Sequence, residues 1–225
     1  MPDWERYANE NAEFYILTRP EIDYSTREGQ ASFFRSGEQE TAQLLKRVEK
    51  LLPGQDRCVD FGCGIGRLTR PHAGFFREVY AVDISPTMLT KLRLGCQSKR
   101  IDNVRPFLVS ESWDEEGAAD YVFSIAVFQH IVDFARIVEY LRRIRRTLKR
   151  SGIAQLHFDT RPSNALYQFR NLLPDALLPS VYRRGLRRIR RSPQILLNAF
   201  SSAGLKVTDE TGVGTEHTFY TLAPV

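Results

Sequence analysis

An aspartate followed by three alternate glycines is the pattern in this sequence that is best suited to binding a ligand. Asp60, Gly62, Gly64 and Gly66 follow a short apolar run that begins at Cys58. Glycine has no β-carbon, so it accepts positive φ angles and lets a ligand approach the backbone. A strand that turns through such glycines into a helix would hold a nucleotide-like molecule, with the free N–H groups of the helix directed at it.

A second carboxylate ends the next apolar run. Residues 79–82 are apolar or aromatic, and Asp83 follows them. A carboxylate at the end of a strand can accept hydrogen bonds from both hydroxyls of a ribose. The glycines do not match the dinucleotide fingerprint G-x-G-x-x-G, because Arg67 would occupy the position of the third glycine.

Together, the D-x-G-x-G-x-G pattern and the second acid resemble the class I S-adenosylmethionine-dependent methyltransferases. The resemblance spans nearly all of residues 38–223, and residues 148–152 are similar to the family's LKPGG segment. It implies that the glycine motif holds the methionine end of S-adenosylmethionine and that Asp83 holds the ribose. A turn of the same shape that binds no cofactor is the alternative.

The resemblance also implies a cofactor site that extends beyond these two motifs. Residues 110–113 would border the adenine, and the loop after the fourth strand would lie beside the methionine part. Ser36 and Gly37, placed before the first long helix, would approach the methionine carboxylate. The predicted cofactor-binding residues are Asp60, Gly62, Gly64, Gly66, Asp83, Ile84, Ser110, Glu111, Ser112, Trp113, Val127, Ser36 and Gly37.

Four further polar residues are candidates for catalysis. His130 follows the fourth strand, and a neutral imidazole there could accept a proton from a hydroxyl at physiological pH, with a packing role as the alternative. Asp159 ends the fifth strand, while Glu216 and His217 precede the last one, so the sheet should bring them to the same edge. They could provide a base and its orienting partner, or ligands for a divalent ion such as Mg²⁺. His157 is expected to be a satisfied core histidine.

Alternating strands and helices must position these residues. The pattern predicts parallel β-α-β units and a doubly wound sheet. By resemblance, the fold is α/β and Rossmann-like, with seven strands in the order 3-2-1-4-5-7-6 and the last strand antiparallel. The predicted strands after the first two are 103–109, 120–127, 153–159, 205–211 and 217–223. The predicted helices are 38–52, one that contains Leu68, Phe75 and Phe76, 85–97, 133–150 and 192–203.

A single domain over residues 1–225 is expected to carry two covering segments. Residues 1–37 contain scattered aromatic side chains, which suggests a helical arm that acts as a lid. Residues 160–191 mix leucines and tyrosines with arginines and are expected to cap the acceptor site. A solvated basic face is the alternative for its arginines, which include Arg183, Arg184, Arg187, Arg188, Arg190 and Arg191.

The composition fits a soluble globular protein. Of the 225 residues, 42% are hydrophobic and 26% are charged, and no apolar run reaches the length of about 18 residues that a membrane span requires. Three irregularly spaced cysteines argue against a zinc site or a disulfide framework and favour a reducing cytoplasm. The formal net charge of +5 indicates at most a modest preference for anionic partners.

Oxygen methylation of a small molecule is the leading functional hypothesis. The acceptor would be a hydroxyl of a sugar, a glycolipid precursor or a polyketide-like metabolite, since the fourth strand is not followed by the N/D-P-P-Y/F turn of many nitrogen methyltransferases. A nucleic-acid methyltransferase or binder that uses the arginine-rich stretches on RNA phosphates is the alternative. A cofactor-binding protein without catalysis is a third reading.

Overall fold

The computed structural model describes residues 4–174, 177–178 and 188–225. Its strands are β1 (Arg57–Phe61), β2 (Glu78–Asp83), β3 (Val104–Leu108), β4 (Ala119–Ser124), β5 (Leu148–Phe158), β6 (Leu205–Thr211) and β7 (Thr218–Pro224). They form one seven-stranded sheet in the order β3-β2-β1-β4-β5-β7-β6. β7 runs antiparallel to both of its neighbours, and the other pairs are parallel. The predicted fold and strand order are confirmed.

Helices cover both faces of this sheet. They are α1 (Trp4–Ile16), α2 (Arg27–Val48), α3 (Thr69–His72), α4 (Pro86–Ser98), α5 (Phe134–Thr147), α6 (Ala165–Leu172) and α7 (Pro193–Ser202), with a 3₁₀ turn at Phe128–His130. The start of α4 is as predicted, because the Ser85 hydroxyl accepts a hydrogen bond from the Met88 N–H at 3.1 Å and Pro86 follows it. None of the helices among the described residues is long and apolar enough to cross a membrane.

Two hydrophobic clusters enclose the sheet. Leu141 of α5 and Phe200 of α7 belong to the cluster on one face, while Leu44 of α2 and Leu92 of α4 belong to the cluster on the other. A mostly parallel sheet is stable only when both faces are covered, which is why its strands read as nearly continuous apolar runs. The arrangement leaves the carboxyl ends of β1, β2 and β4 as the edge where a ligand can bind.

The first long helix begins at Arg27, earlier than the predicted start at residue 38. Thr26 caps it by accepting a hydrogen bond from the Gly29 N–H at 3.0 Å. Ser36 and Gly37 therefore lie inside α2 and not in a loop before it. A β-carbon on Gly37 would lie 2.1 Å from the carbonyl oxygen of Arg67, so this glycine allows the helix to pack closely on the glycine turn.

The helix predicted after the glycine turn is reduced to the four residues of α3. Leu68, Phe75 and Phe76 all lie outside it; Leu68 and Phe76 are buried in the core, whereas Phe75 is exposed. The prediction that a helix directs its free N–H groups at a ligand is therefore wrong, because only a four-residue helix follows the turn. The backbone is satisfied within the turn and by the neighbouring strand, as when the Gly62 N–H donates to the Val82 carbonyl at 2.7 Å.

Strand and helix boundaries also differ on the other side of the sheet. β4 ends at Ser124 instead of residue 127, and α5 ends at Thr147 instead of residue 150. β5 begins at Leu148, so the segment similar to LKPGG is strand and not turn. The pairing of β4 with β5 shifts register between Ala119 and Tyr121, which absorbs the extra residues. Gly152 is needed there, since a β-carbon would lie 2.7 Å from the Ala119 carbonyl oxygen.

The predicted N-terminal arm lies across the domain. α1 is kinked at Asn11, and Ala8 and Ala12 are buried in a small cluster with Phe33 of α2 and Met88 of α4. The arm is thus held by apolar packing against two helices.

Candidate functional site

A cavity of about 1210 Å³ opens at the carboxyl ends of β1, β2 and β4. Phe61, Val82 and Ile125 come from these strand ends, and Trp4 and Ile16 come from the arm. This is the position at which open α/β sheets bind their ligands.

Two of the three motif glycines reach the cavity. Gly62 and Gly64 line it, with φ values of 85° and 53° that favour glycine. A β-carbon on Gly62 would lie 2.2 Å from a methyl carbon of Val127, which also lines the cavity as predicted. Gly66 lies behind the turn, where a β-carbon would approach Leu92 to 2.2 Å. Gly66 thus permits packing, while the other two leave the cavity wall free of side chains.

Asp83 faces the cavity and holds the glycine turn in place. One carboxylate oxygen accepts from the Gly64 N–H at 2.8 Å, and the other accepts from the Ser85 N–H at 2.9 Å. Each oxygen keeps a further lone pair for a ligand. Burial raises the pKa of Asp83, and the N–H groups of Ser85 and Gly64 oppose that rise. Its predicted neighbour Ile84 also lines the cavity.

Asp60 lies beneath the turn and is not among the residues that line the cavity. Its carboxylate is buried and accepts a hydrogen bond from the Thr69 hydroxyl at 2.6 Å. Burial raises the pKa of Asp60 to about 7, against the opposing effect of the Thr69 hydroxyl. Asp60 therefore supports the turn from inside the core.

The residues predicted to border the adenine do not line the cavity. Val109 does, but Ser110, Glu111 and Ser112 point to the exposed surface. Trp113 is fully buried, with its ring centroid 5.5 Å from that of Phe61. The prediction is wrong for Trp113, because its ring fills the core between the sheet and α5.

His130 stands in the cavity wall on the 3₁₀ turn after β4. Its ring meets the Trp4 ring edge-on, with centroids 5.4 Å apart. The Gln129 amide nitrogen lies 3.2 Å from His130 Nε2. An amide nitrogen donates and an amide oxygen accepts, so the Gln129 amide can pair with Nε2 in either tautomer of the ring.

Asp159, Glu216 and His217 are brought together as predicted, but arginines join them. The buried carboxylate of Asp159 accepts from two nitrogens of Arg161, at 3.0 and 2.5 Å. Glu216 pairs with Arg161 at 2.9 Å and with Arg188 at 3.2 Å, and His217 Nε2 lies 3.4 Å from it. Glu216 and His217 line the cavity, whereas Asp159 does not.

This ion-pair network does not support the predicted divalent ion. Among the residues that the structure describes, no group of three His, Cys, Asp or Glu side chains is placed to hold a metal. The guanidinium groups of Arg161 and Arg188 already compensate the carboxylates that would have been its ligands.

His157 is the satisfied core histidine that the sequence predicted. Its Nδ1 accepts from the Ala126 N–H at 3.2 Å, and its Nε2 donates to the Glu216 carbonyl at 3.1 Å. Burial lowers the pKa of His157 to about 4, so the ring is neutral. Ala126 has a φ of +60°, which is strained for a residue with a β-carbon, and the His157 ring holds it at the cavity wall.

Arg67 and Glu40 line the cavity and were not predicted as site residues. Arg67 Nη2 contacts the Glu40 carboxylate at 2.6 Å, and Arg67 Nη1 contacts the Ser36 hydroxyl at 3.3 Å. A guanidinium at this position is suited to binding a carboxylate. The available signal was an arginine directly after the last motif glycine.

Part of the predicted cap contributes to the same cavity. Arg161, Tyr167, Arg170, Arg188 and Arg190 line it. The guanidinium of Arg190 lies over the Tyr167 ring, 4.4 Å from its centroid. The predicted cap residues Arg183, Arg184 and Arg187 fall outside the described residues.

A family model for a methyltransferase domain matches residues 33–210, which is most of the chain. The protein belongs to this methyltransferase family. The class I S-adenosylmethionine-dependent family that the glycine and acid motifs predicted is thereby confirmed. The methyltransferase is 32% identical over 115 residues to the 23S rRNA (uracil(1939)-C(5))-methyltransferase RlmD of Pseudomonas savastanoi pv. phaseolicola, a match that covers 48% of this chain and 24% of that protein. Its matches to curated relatives span only 19% to 43% of their own length.

Solved structures show the same fold over nearly all of the chain. The PH0226 protein of Pyrococcus horikoshii OT3 superposes with a TM-score of 0.67 at 21% identity, over 95% of this methyltransferase and 99% of that chain. The magnesium protoporphyrin IX methyltransferase ChlM of Synechocystis PCC 6803, solved with bound SAH, superposes with a TM-score of 0.64 at 17% identity, over 98% of each chain.

Proposed function

We propose that this protein transfers a methyl group from S-adenosylmethionine to a hydroxyl oxygen of a small molecule. The observation that carries the proposal is one continuous cavity that contains the glycine turn, Asp83 and His130. Its volume of about 1210 Å³ exceeds the roughly 300–1,000 Å³ of typical single-ligand pockets. That space accommodates a cofactor together with an acceptor.

The residues at the sheet edge fit the proposed cofactor. Asp83 would accept hydrogen bonds from the ribose hydroxyls through its remaining lone pairs, and Gly62 and Gly64 would let the methionine part lie against the backbone. We assign the methionine carboxylate to Arg67, in place of Ser36 and Gly37, because Arg67 lines the cavity and they do not. When bound, S-adenosylmethionine supplies an electrophilic methyl group on a sulfonium sulfur.

His130 is the proposed base. The acceptor hydroxyl would replace the Gln129 amide at His130 Nε2, and its proton would pass to that nitrogen. The acceptor oxygen gains the methyl carbon as the carbon–sulfur bond breaks, which leaves SAH as the second product. Trp4 lies against the imidazole and would keep water away from it. Asp159 would orient Arg161, and Glu216 and His217 would remain at the acceptor side.

An RNA acceptor is the second candidate, because the match to RlmD covers about half of this chain. The contacts of two arginines, one in each arginine-rich stretch, argue against it. Arg143 donates to the Val109 carbonyl and pairs with Asp114, and Arg191 donates to the Ile131 carbonyl. Both guanidinium groups are largely withdrawn from solvent, with the Arg143 side chain 20% exposed and Arg191 buried, so neither presents its charge on the outer surface where an RNA backbone would lie. RNA binding that weakens steeply with salt would favour this candidate.

Replacing His130 with alanine tests the proposal. An acceptor is first identified by following label from S-adenosylmethionine into a panel of hydroxylated metabolites. We expect His130→Ala to lower kcat by about 10²- to 10⁴-fold, the usual cost of removing a general base. The affinity for S-adenosylmethionine, measured by calorimetry, should stay within about twofold of that of the unsubstituted protein.

Two results would contradict this role of His130. One is a variant that retains most of its turnover, in which case the base is Glu216 or His217, which also line the cavity. The other is a loss of turnover that only follows a loss of cofactor affinity.

A further inference from the structure

We propose that the methyl acceptor carries an anionic group, a carboxylate or a phosphate, which binds to an arginine cluster beside His130. The inference rests on the proposed function and names the substrate class for that site. We define the arginine cluster as the guanidinium groups that line the acceptor side of the cavity: Arg136, Arg161, Arg170, Arg188 and Arg190.

Positive charge exceeds negative charge on this side of the cavity. Among the described lining residues, and leaving out Arg170, which has an interaction within the protein, four arginines of the cluster face two carboxylates, those of Asp133 and Glu216. The buried carboxylate of Asp159, behind Arg161, adds one more negative charge. The proposed cofactor brings a sulfonium, which raises the positive charge further. An anionic acceptor is therefore favoured electrostatically over a neutral or cationic one.

Two hydrogen bonds to backbone carbonyls hold the segment that carries Arg188 and Arg190 next to the proposed base. The Ile189 N–H donates to the Gln129 carbonyl at 2.7 Å, and Arg191 Nη2 donates to the Ile131 carbonyl at 2.5 Å. Arg188 and Arg190 flank the first of these bonds, and His130 lies between the two carbonyls in sequence. An acceptor bound by these arginines would thus have its hydroxyl within reach of the imidazole.

The geometry of Arg188 leaves room for a ligand. Its side chain is 40% exposed, and its Nη1 contacts the Glu216 carboxylate at 3.2 Å. A guanidinium has five N–H donors, so the rest of the fork can take a carboxylate or a phosphate. Arg190 stacks on Tyr167 and donates to the Pro162 carbonyl at 2.8 Å, which holds its guanidinium at the cavity wall.

The Glu216 carboxylate occupies guanidinium donors that an anionic ligand would use. Its carboxylate is shared between Arg161 and Arg188, so it competes with any incoming anion for the same donors. Removing this charge should strengthen anion binding, whereas removing the Arg188 charge should weaken it. If the ion pair were purely structural, both substitutions would change the affinity for an anion in the same direction.

Calorimetry of the SAH-saturated protein tests the inference. The protein is titrated at constant ionic strength with two anions, inorganic phosphate and benzoate, and with benzyl alcohol as the neutral probe. We expect saturable binding of at least one anion, about tenfold weaker in Arg188→Gln and tighter in Glu216→Gln. Arg142→Gln removes the same charge from an exposed position of α5 outside the cavity lining and should leave the affinity unchanged. Tighter binding of phosphate than of benzoate would identify a phosphate group, and the reverse order a carboxylate.

Several outcomes would overturn the inference: no saturable binding of either anion, benzyl alcohol binding as tightly as benzoate, an equal loss in Arg142→Gln, or weaker binding in Glu216→Gln. The affinity for SAH is measured first in each protein. Failure to bind SAH would contradict the proposed function, whereas SAH binding without anion binding would contradict this inference alone.

Discussion

Asp60 lies one residue before the end of β1 and Asp83 ends the neighbouring strand β2, yet their surroundings give them different tasks. Asp60 is sealed in the core with the Thr69 hydroxyl, while Asp83 opens to the cavity and accepts two backbone N–H groups. Desolvation favours the protonated form of a carboxyl group, and hydrogen bonds from N–H donors favour the charged form. We therefore infer that Asp60 stabilises the turn and that Asp83 meets the ligand.

The raised pKa of Asp60 predicts a pH-dependent loss of stability. Its pKa is about 7 in the folded protein, compared with 3.8 for a free aspartate, so the folded state binds this proton more tightly. The stabilisation is complete below pH 3.8 and is lost as pH rises through 7. Between these pH values the free energy of unfolding of the unsubstituted protein should fall by up to about 1.4 kcal/mol per pH unit. Asp60→Asn cannot lose a proton at this position, so its free energy of unfolding should lack this fall.

Denaturant unfolding at a series of pH values measures this difference. The exposed Asp209 on β6 provides the matched control, since Asp209→Asn makes the same chemical change without burial. Equal pH dependence in Asp60→Asn and the unsubstituted protein would contradict the assignment.

The positions of the motif residues at the cavity could be predicted from the sequence, whereas the directions of the side chains around them could not. Gly62, Gly64 and Asp83 line the cavity because alternate glycines and a strand-ending acid constrain the local backbone. Arg67 was missed and Trp113 was misplaced, because the direction of each side chain depends on contacts distant in sequence. Arg67 meets Glu40 of α2, and Trp113 lies beneath the guanidinium of Arg143 from α5.

The arm helix α1 contributes to the cavity wall and is fastened to α4. The Glu5 carboxylate accepts hydrogen bonds from the hydroxyls of Ser85 and Thr87 at the start of α4. Lys91 Nζ donates to the Ala8 carbonyl at 2.7 Å. These hydroxyls, Ser85 first, lower the pKa of Glu5, so the attachment is fully present above the ordinary pKa of 4.5 and weakens as pH falls below it.

Breaking this attachment should loosen the arm. In Glu5→Ala we expect faster amide hydrogen exchange across α1 at neutral pH, because the hydroxyls of α4 lose their charged partner. Glu10→Ala is the matched control on the same helix, since Glu10 bonds to Arg6 and Tyr15 of the arm itself. Mass spectrometry of peptides from residues 4–16 measures the exchange. Equal rates in the two variants would show that Glu5 does not hold the arm.

The order of the elements could be predicted from sequence, whereas several boundaries could not. Ser85 and Pro86 specify the start of α4 locally, so that helix was placed correctly. The early start of α2 was hidden because Gly29 and Gly37 are poor helix formers. They are present for tertiary reasons, since a β-carbon would meet the Asp23 carbonyl in one case and the Arg67 carbonyl in the other.

On the scale of the whole molecule, the sheet brings together candidate site residues that are far apart in the sequence. The glycine turn and Asp83 come from the β1 and β2 ends, His130 from the β4 end, and Glu216 from the start of β7. The arm and described residues of the predicted cap, among them Arg161, Tyr167 and Arg188, line the same cavity from outside the sheet. We therefore propose that residues 1–225 act as one domain whose covering segments select the acceptor.

The central claim is that this cavity binds S-adenosylmethionine with its ribose on Asp83. Titration calorimetry of S-adenosylmethionine into the full chain tests it most directly. We predict one saturable site, weakened by about 1.5–3 kcal/mol in Asp83→Ala through loss of a charge-assisted contact, and unchanged in the exposed control Asp102→Ala. No binding to the unsubstituted protein, or unchanged affinity in a folded Asp83→Ala variant, would contradict the claim.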